Sequence, residues 1–414
     1  MKHGQPSKLR LGLFLASLAG GGLEKTMLTL AAGLADRGHS VTLLPCRRKG
    51  RLADKLPPGL KVHELERRSA LLGRLAALWA DPSAARPLLR PFLLSRKPPE
   101  SVPYLLALAD WLRRERPDGL IACMPQENLA ALMARDLAGT RTRVLLTEHN
   151  TLSAMVQRAR SINYRDLPPL IGHAYRRADA VVAVSTGVAD DLAAITGLPR
   201  RLIEVIHNPA VPPDVDALAA EPVEHAWLQP GEPPVVLGVG RLVPQKGFAT
   251  LLRAFAEVRR QRPVRLVILG EGPDPEATAK RRAELEALAG ELDIAGSLDL
   301  PGHADNPFAW MARVGVFVLS STHEGFGNVL PEAMACGCPV VSTDCPSGPA
   351  EILGNGRWGR LVPVGDHAAM ATAILATLAE PPGSTQLRQR AEAFKVDAAL
   401  DRYEPLLRAE RVKS

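Results

Sequence analysis

Short apolar runs alternate with longer amphipathic stretches along almost the whole chain. Residues 9–15 are such a run and predict the first strand, because a strand buried on both faces of a parallel sheet is apolar throughout. Residues 23–37 predict the first helix, since Met27, Leu30 and Leu34 lie on one helical stripe. Regular alternation of strand and helix predicts an α/β fold in which helices cover both faces of parallel sheets.

The predicted strands form two groups of six, separated by a proline-rich stretch that has no apolar period. They are residues 9–15, 40–44, 119–122, 143–147, 180–184 and 202–206 in the first group and residues 235–239, 265–269, 297–300, 314–319, 339–343 and 361–363 in the second. At 414 residues the chain is too long for one core. We therefore predict two doubly wound domains whose sheets face each other across a cleft, because ligands bind beyond the carboxyl ends of such strands.

The domain boundaries follow from the same pattern. The first domain is predicted at residues 1–208, the linker at 209–232 and the second domain at 233–390. Residues 391–414 are predicted to form a final helix with a basic end, which can cross back to the first domain.

A glycine-rich turn after the strand at 314–319 carries the most informative chemistry. Glu324 follows that strand, and Glu332 comes after seven intervening residues, in the predicted first turn of a helix. A helix N-terminus offers unpaired N–H groups and a positive dipole end to a phosphate. An ionised Glu332 can accept two hydrogen bonds from vicinal hydroxyls. The simpler alternative makes Glu324 a solvated loop charge and Glu332 a partner of the helix dipole.

Two cations follow the first strand of the second domain. Arg241 and Lys246 lie between the strand at 235–239 and the predicted helix at 248–260, on the same sheet edge as Glu324. A planar guanidinium and a compact ammonium both suit a diphosphate. The Gly-Lys-Ser/Thr order of a Walker loop is absent, so a different kind of diphosphate site is expected.

The first domain has its own candidates at strand ends. His149 follows the strand at 143–147, and Gly21 and Gly22 open the first helix, where an anion can bind. The alternatives are a histidine satisfied by its neighbours and a glycine turn needed for tight strand–helix packing.

Charge is divided unequally between the two halves. Residues 1–209 carry 31 Lys and Arg against 18 Asp and Glu, net +13, whereas the remainder carries 20 against 26, net −6. The basic half is expected to meet an anionic membrane surface, a phosphorylated acceptor or nucleic acid. No run of 18 apolar residues exists, so no membrane-spanning segment is predicted.

Residues 66–116 are predicted to be helical, broken by prolines and rich in Leu and Arg. One interpretation is a basic amphipathic surface that lies on anionic lipid. It would be formed by Leu71, Leu72, Leu75, Leu78 and Trp79 with Arg67, Arg68 and Arg74, followed by residues 88–92. The other is ordinary domain helices with solvated arginines.

Three further patterns concern the cysteines, the N-terminal segment and a pair of aspartates. The five cysteines are an odd number without metal-ligand spacing and indicate reduced thiols in a cytoplasmic protein. Lys2, Lys8 and Arg10 before an apolar run resemble a targeting signal, but the same run is needed as the first strand. Asp214 and Asp216 form an Asp-x-Asp pair without a preceding strand, so we predict no metal site.

Taken together, these motifs resemble the glycosyltransferases of family 4, which have the GT-B fold. The resemblance covers nearly the whole chain, and residues 324–332 are its most specific part. It is carried by Gly21-Gly22-Leu23-Glu24, Glu148-His149-Asn150, Val182-Ala183-Val184-Ser185, His207-Asn208-Pro209, Gly240-Arg241-Leu242, Lys246-Gly247, Gly270-Glu271-Gly272, residues 324–332 and Leu361-Val362-Pro363.

The resemblance implies a retaining, metal-independent hexosyl- or N-acetylhexosaminyl-transferase. The donor would be a nucleotide sugar, usually UDP-linked, with no further cofactor. Arg241 and Lys246 would neutralise the diphosphate, Glu332 would hold the ribose, and His149 would contact the donor sugar from the first domain. Glu324 would address that sugar together with the backbone of Gly325, Phe326, Gly327, Asn328 and Val329.

The resemblance also implies a mechanism and a place of action. The leaving diphosphate, stabilised by fixed positive charge, would take the acceptor's proton on the same face, and domain closure would exclude water. The acceptor would be a lipid-linked or cell-surface glycan, as in lipopolysaccharide or polysaccharide biosynthesis, at the cytoplasmic face of the plasma membrane.

Two other functions are compatible with parts of this pattern. A sugar-nucleotide 2-epimerase on the same fold would also need a diphosphate site, although no acid/base set for it is identifiable. A non-enzymic basic membrane-binding or nucleic-acid-binding protein would leave the second domain's motifs unexplained. Aromatic residues are only 4% of the chain, which offers few platforms for stacking single-stranded nucleic acid.

Overall fold

The computed structural model describes residues 7–54, 56–57, 59–88, 92–93, 98–158 and 165–409. It divides into two compact units, one comprising Met1–Pro209 with Val396–Ser414 and the other Ala210–Lys395. Among the helices that the structure describes, none is both long and apolar enough to cross a membrane.

The first unit contains a parallel seven-stranded sheet with the order β3-β2-β1-β4-β5-β6-β7. Its strands are β1 Arg10–Ser17, β2 Ser40–Arg47, β3 Lys61–Val62, β4 Gly119–Cys123, β5 Arg143–Glu148, β6 Ala180–Ala183 and β7 Ile203–Val205. Its α-helices are Gly22–Asp36, Ala70–Ala80, Ala85–Leu88, Leu105–Glu115, Pro125–Ala138, Leu152–Arg158, Leu167–Ala174, Thr186–Thr196 and Val396–Arg408. The strand order reverses between β1 and β4, which marks this sheet's ligand-binding edge.

The second unit contains a parallel six-stranded sheet with the order β10-β9-β8-β11-β12-β13. Its strands are β8 Val235–Val239, β9 Arg265–Leu269, β10 Leu298–Gly302, β11 Val316–Leu319, β12 Val340–Thr343 and β13 Arg360–Val362. Its α-helices are Val215–Ala220, Phe248–Gln261, Pro275–Glu291, Pro307–Met311, Val329–Ala335, Pro349–Ile352, His367–Ala379 and Ser384–Ala391. Here the order reverses between β8 and β11.

The apolar runs form the centres of both sheets, as predicted. In β1, Leu11, Leu13 and Leu15 are buried against the helix Gly22–Asp36. In the second unit, Val236, Val316 and Val318 belong to one core with the helices Phe248–Gln261 and His367–Ala379. All twelve predicted strands are present, and the two-residue strand β3 is the one that the pattern missed.

Residues 209–232 differ from the predicted linker because they fold onto the second unit. The helix Val215–Ala220 packs on Pro307–Met311, and the amide of Asn306 donates a hydrogen bond to the carbonyl of Leu218 at 2.8 Å. Further on, His225 contacts Asp299 at 2.9 Å, and Arg265 lies over the ring of Trp227. This segment is held by polar and aromatic contacts. Such contacts produce no apolar period in the sequence, so the pattern did not predict that the segment packs on the second unit.

The predicted final helix is interrupted. Ser384–Ala391 is followed by a 3₁₀ turn at Glu392–Phe394 and then by the helix Val396–Arg408. Between them Lys395 is extended and pairs with Val211, whose N–H donates to the carbonyl of Phe394 at 3.0 Å. Val396–Arg408 then packs on Gly22–Asp36, where Val396 and Leu400 lie close to Gly33. Residues 410–414 of the predicted helix lie outside the described residues.

Candidate functional site

The loops that follow β8 and β11 are joined at the point where the second sheet reverses its strand order. The N–H of Thr322 donates to the carbonyl of Gln245 at 2.8 Å, and the Gln245 amide donates to the carbonyl of His323 at 2.9 Å. The Ser320 hydroxyl donates to the carbonyl of Lys246 at 2.7 Å. Sequence reasoning placed both loops on one sheet edge, and the structure brings them into direct contact.

Gly247 permits this contact. Its φ is +62°, and a Cβ at this position would lie 2.0 Å from the carbonyl oxygen of Ser320. Any larger residue would meet a strained conformation and a backbone clash together. The position of Lys246 relative to the β11 loop therefore depends on the glycine that follows it.

Lys246 and Glu324 form an ion pair. The Nζ of Lys246 lies 2.6 Å from Oε1 of Glu324, and the hydroxyl of Ser321 donates to the same oxygen at 2.6 Å. The two charged side chains are only 16% and 10% exposed. No described residue donates a hydrogen bond to the other carboxylate oxygen, Oε2. Glu324 is thus fixed through one oxygen, and the second can accept a hydrogen bond from a ligand hydroxyl.

A third loop, after β12, supports this arrangement. The Thr343 hydroxyl donates to the carbonyl of Ser321 at 2.6 Å, and the N–H of Glu324 donates to the carbonyl of Pro346 at 2.9 Å. Gly348, with φ +95°, lies so close that a Cβ would be 2.0 Å from the carbonyl oxygen of Phe326. Sequence reasoning missed this loop, although a proline- and glycine-rich turn at a strand's carboxyl end was a usable signal.

The remaining predicted residues of the second unit lie in the same two loops and in the helix that follows them. Arg241 is exposed, and its guanidinium makes no ion pair with a described residue. Gly325 and Gly327 are buried, and Gly327 has φ +93°. The ring of Phe326 is buried against Phe394, with 5.6 Å between centroids, so only its backbone can address a ligand.

The helix after this turn begins as predicted. It spans Val329–Ala335, Asn328 immediately precedes it, and Glu332 lies half-buried in its first turn. One edge of the sheet therefore carries the exposed cation of Arg241, a lysine, a carboxylate with one open oxygen and a glycine turn. This combination suits a ligand that carries both phosphate and hydroxyl groups.

His149 follows β5 in the first unit. It is 8% exposed, and its Nε2 lies 2.9 Å from the hydroxyl of Thr147. Burial lowers the pKa of His149 to about 4, against a smaller opposing effect of its hydrogen bond with Asn208. The imidazole is therefore neutral at neutral pH and suits hydrogen bonding rather than charge stabilisation.

Two buried carboxyl groups near His149 were not predicted as functional. Glu148 accepts hydrogen bonds at Oε1 from the Tyr175 hydroxyl and from the Asn128 amide, and burial raises its pKa to about 7. Burial, together with repulsion from Glu100 and Glu148, raises the pKa of Glu127 to about 8. The hydrogen bonds of Glu148 fix the end of β5 and so the residue that follows it.

The three glycines of the turn after β1 are constrained to different degrees. The positive φ of +102° falls on Gly20, and Gly21 precedes the helix Gly22–Asp36. A Cβ on Gly21 would lie 2.8 Å from a carboxylate oxygen of Glu24, whereas a Cβ on Gly22 would meet nothing within 4 Å. Neither conformation nor packing requires glycine at Gly22, so close approach of a ligand is a remaining reason for it.

One member of the Asp-x-Asp pair, Asp216, is engaged in an ion pair. Asp214 directly precedes the helix Val215–Ala220, and Asp216 lies 3.1 Å from Arg388. Among the described residues, no cluster of three or more His, Cys, Asp or Glu side chains has the geometry of a metal site. All five cysteines are free and buried.

Two doubly wound parallel sheets, one in each unit, are the architecture of the GT-B class of glycosyltransferases. A sequence model described as glycosyltransferase family 4 matches residues 20–212, and one described as glycosyl transferases group 1 matches residues 233–380. Together with the relatives described next, these matches show that the chain belongs to the glycosyltransferases of family 4.

One relative spans nearly the full length of both chains. It is an N-acetylgalactosamine-N,N'-diacetylbacillosaminyl-diphospho-undecaprenol 4-alpha-N-acetylgalactosaminyltransferase from Campylobacter jejuni, 30% identical over 409 residues, with 96% of this chain and 99% of the relative covered. The lipopolysaccharide core biosynthesis glycosyltransferase LpsE from Rhizobium meliloti is 34% identical over 248 residues, which cover 58% of this chain and 67% of that protein.

The fold is also shared with solved structures. Anabaena HepE in complex with UDP and glucose superposes with a TM-score of 0.74 at 20% identity, covering 96% of this chain and 99% of that one. At this level of identity the likeness supports the fold alone, and it agrees with the predicted GT-B architecture.

Proposed function

We propose that this glycosyltransferase moves a hexosyl or N-acetylhexosaminyl group from a UDP-sugar to a lipid-linked or lipopolysaccharide-type glycan, with retention and without a metal. The observation that carries the proposal is the Lys246–Glu324 pair at the strand-order reversal, with one carboxylate oxygen open and Arg241 exposed nearby in sequence. A diphosphate needs fixed cations, and a sugar needs a fixed hydrogen-bond acceptor.

In this mechanism each residue has one task. Arg241 and Lys246 stabilise the negative charge that develops on the leaving diphosphate, which is the main catalytic effect of such a site. Glu324 accepts a hydrogen bond from a sugar hydroxyl through Oε2, and Glu332 accepts from the ribose hydroxyls. The leaving diphosphate takes the acceptor's proton, so no enzymic nucleophile is needed. The role of His149 stays a prediction.

Two considerations support a lipid-linked acceptor. The Campylobacter jejuni relative acts on a diphospho-undecaprenol substrate according to its name, and LpsE belongs to lipopolysaccharide core synthesis. The first unit is also strongly basic. Residues 1–209 carry a net charge of +13, and residues 396–414, which complete the unit, leave it unchanged because they add four basic and four acidic residues. Positive charge attracts phosphorylated lipids and the anionic cytoplasmic leaflet, where we place the enzyme.

A donor screen tests the function. UDP-glucose, UDP-galactose, UDP-N-acetylglucosamine, UDP-N-acetylgalactosamine and GDP-mannose are compared by thermal shift and by nucleoside diphosphate release. One UDP-sugar is expected to raise the unfolding temperature, because a ligand bound to the native state stabilises it. Release is expected to continue in EDTA. Stabilisation by GDP-mannose alone, or a strict need for a divalent ion, would contradict the proposal.

We also propose that the helix Ala70–Ala80 docks on anionic membrane. Four large apolar residues on it face solvent: Leu71, Leu72, Leu75 and Trp79 are 66%, 53%, 52% and 82% exposed. The opposite face is fixed, since a Cβ on Gly73 would lie 2.3 Å from the carbonyl oxygen of Val102. We call these four residues the apolar stripe.

The arginines contribute less to this surface than the sequence predicted. Arg68 pairs with Asp110 at 2.7 Å, and Arg74 donates to the carbonyl of Leu93 at 3.0 Å, because folding brings partners from distant segments next to them. Arg67 is exposed without a described partner. Residues 89–91 of the predicted surface lie outside the described residues.

Replacing Leu75 and Trp79 by serine is expected to lower binding to phosphatidylglycerol vesicles at least tenfold. Each apolar side chain withdrawn from the interface removes on the order of 1 kcal/mol of transfer free energy. Co-sedimentation measures the effect. Leu202→Ser is the control, because Leu202 is an exposed leucine of the same unit outside the stripe. Equal vesicle binding by both variants would remove the membrane proposal.

A further inference from the structure

Four cations lie together at the carboxyl-end edge of the first sheet. Arg47 ends β2, and Arg48, Lys49 and Arg51 follow it within four residues. All four residues are exposed. We call residues 47–51 the basic loop. It contains no acidic residue, and it lies on the edge where parallel sheets bind ligands.

The basic loop is held by backbone contacts. Gly50 has φ +124°, and a Cβ there would lie 2.2 Å from the carbonyl oxygen of Leu18 and 2.4 Å from Cα of Ala19. The N–H of Leu52 donates to the carbonyl of Leu18 at 3.2 Å. The loop therefore lies directly on the segment that leads from β1 to the Gly20–Gly22 turn, at the reversal of strand order between β1 and β4.

Only part of the loop's charge is compensated within the chain. Arg47 pairs with Glu100 at 2.7 Å, and a carboxylate oxygen of Glu64 accepts the backbone N–H of Arg48 at 3.3 Å. The side chains of Arg48 and Lys49 make no ion pair or hydrogen bond with a described residue. Two adjacent cations on an anchored loop are thus available to an external anion.

We propose that the basic loop binds the phosphate groups of the acceptor. Guanidinium and ammonium groups form charge-assisted hydrogen bonds with phosphate oxygens, and a short fixed loop loses little conformational entropy on binding. A lipid-linked glycan carries phosphate between its lipid and its first sugar, so the loop fixes the acceptor at that point. The identity of the acceptor rests on the proposed function, whereas the phosphate site itself does not.

Titration with inorganic pyrophosphate in a calorimeter tests the site without any transfer reaction. The full chain is expected to bind it at the basic loop and at the Arg241–Lys246 edge, and R48Q/K49Q is expected to lose one of the two sites or to bind there at least tenfold more weakly. The control is R116Q/R141Q. It removes two exposed arginines that lie at the opposite edge of the same sheet and have no described side-chain partner. Unchanged stoichiometry and affinity in R48Q/K49Q would overturn the proposal.

Failure of the basic-loop proposal can be distinguished from failure of the proposed donor site. If the donor site is misassigned, the wild type binds one pyrophosphate and R48Q/K49Q binds none, so the loop proposal survives. Vesicles of phosphatidylglycerol and phosphatidylcholine separate acceptor phosphate from lipid headgroup. If R48Q/K49Q binds vesicles as well as the wild type does, the basic loop binds acceptor phosphate. If its vesicle binding falls as much as its pyrophosphate binding, the loop binds lipid headgroups and the assignment to the acceptor is wrong.

Discussion

Lys246→Met is expected to lower kcat for sugar transfer by about 10²–10³-fold, the usual cost of removing one preorganised group that stabilises charge in the transition state. The lysine ends a loop fixed by Ser320 and by Gly247, so its ammonium group is held at one place on the β8–β11 edge. The measurement is steady-state release of UDP from the sugar donor found in the screen.

The control for this prediction is Lys280→Met. Lys280 is an exposed lysine in the helix Pro275–Glu291 of the same unit, and it has no described ion pair. Its loss changes the net charge equally but removes nothing from the β8–β11 edge. If Lys246→Met kept kcat within threefold of Lys280→Met, the assignment of the diphosphate site would be wrong.

The ion pair gives the same substitution a second, separable effect. Without Lys246, the Glu324 carboxylate, 10% exposed, keeps only the Ser321 hydroxyl as a side-chain donor, which is expected to destabilise the fold by about 1–2 kcal/mol. Adding Glu324→Gln removes the uncompensated charge and is expected to recover part of that stability. Activity should not recover, and a double-mutant cycle on both quantities separates fold from catalysis.

Local pattern was sufficient to predict the sheets and the edge on which Lys246 and Glu324 lie. It could not predict that these two side chains pair, because 78 residues separate them and the contact depends on how two loops fold together. Ser321 and Thr343 were missed for the same reason. Their hydroxyls act on a carboxylate and a carbonyl whose positions are fixed only by the tertiary structure.

The predicted elements differ most from the structure in two regions, and the physical reason is the same in both. Residues 209–232 have no apolar period, yet His225 and Trp227 anchor them through single polar and aromatic contacts. The last predicted helix was continuous in its pattern, but Lys395 leaves it to pair with Val211. In both cases a long-range contact overrides local propensity, which is a weak influence on each residue.

Gly270→Ala is expected to destabilise the second unit by about 3–5 kcal/mol, at the upper end of single substitutions. Gly270 follows β9 with φ +146°, and a Cβ there would lie 1.9 Å from the carbonyl oxygen and 2.8 Å from the carbonyl carbon of Gly240. Both obstacles are backbone atoms, so no side-chain rotation relieves them. Gly240 begins the loop that carries Arg241 and Lys246, and displacing it should also weaken pyrophosphate binding at that edge.

Gly290→Ala is the matched comparison. Gly290 is an exposed helical glycine of the same unit, and a Cβ there would meet nothing within 4 Å. Alanine at an open helical position is expected to stabilise by about 0.5–1 kcal/mol. Because two units need not unfold together, the measurement is hydrogen exchange of peptides from β8 and β9 rather than one melting temperature. If exchange becomes faster in Gly270→Ala but does not change in Gly290→Ala, the contact between Gly240 and Gly270 holds the loop of Arg241 and Lys246 in place. Equal exchange in both variants would mean that the β8 loop is positioned by its side-chain contacts instead.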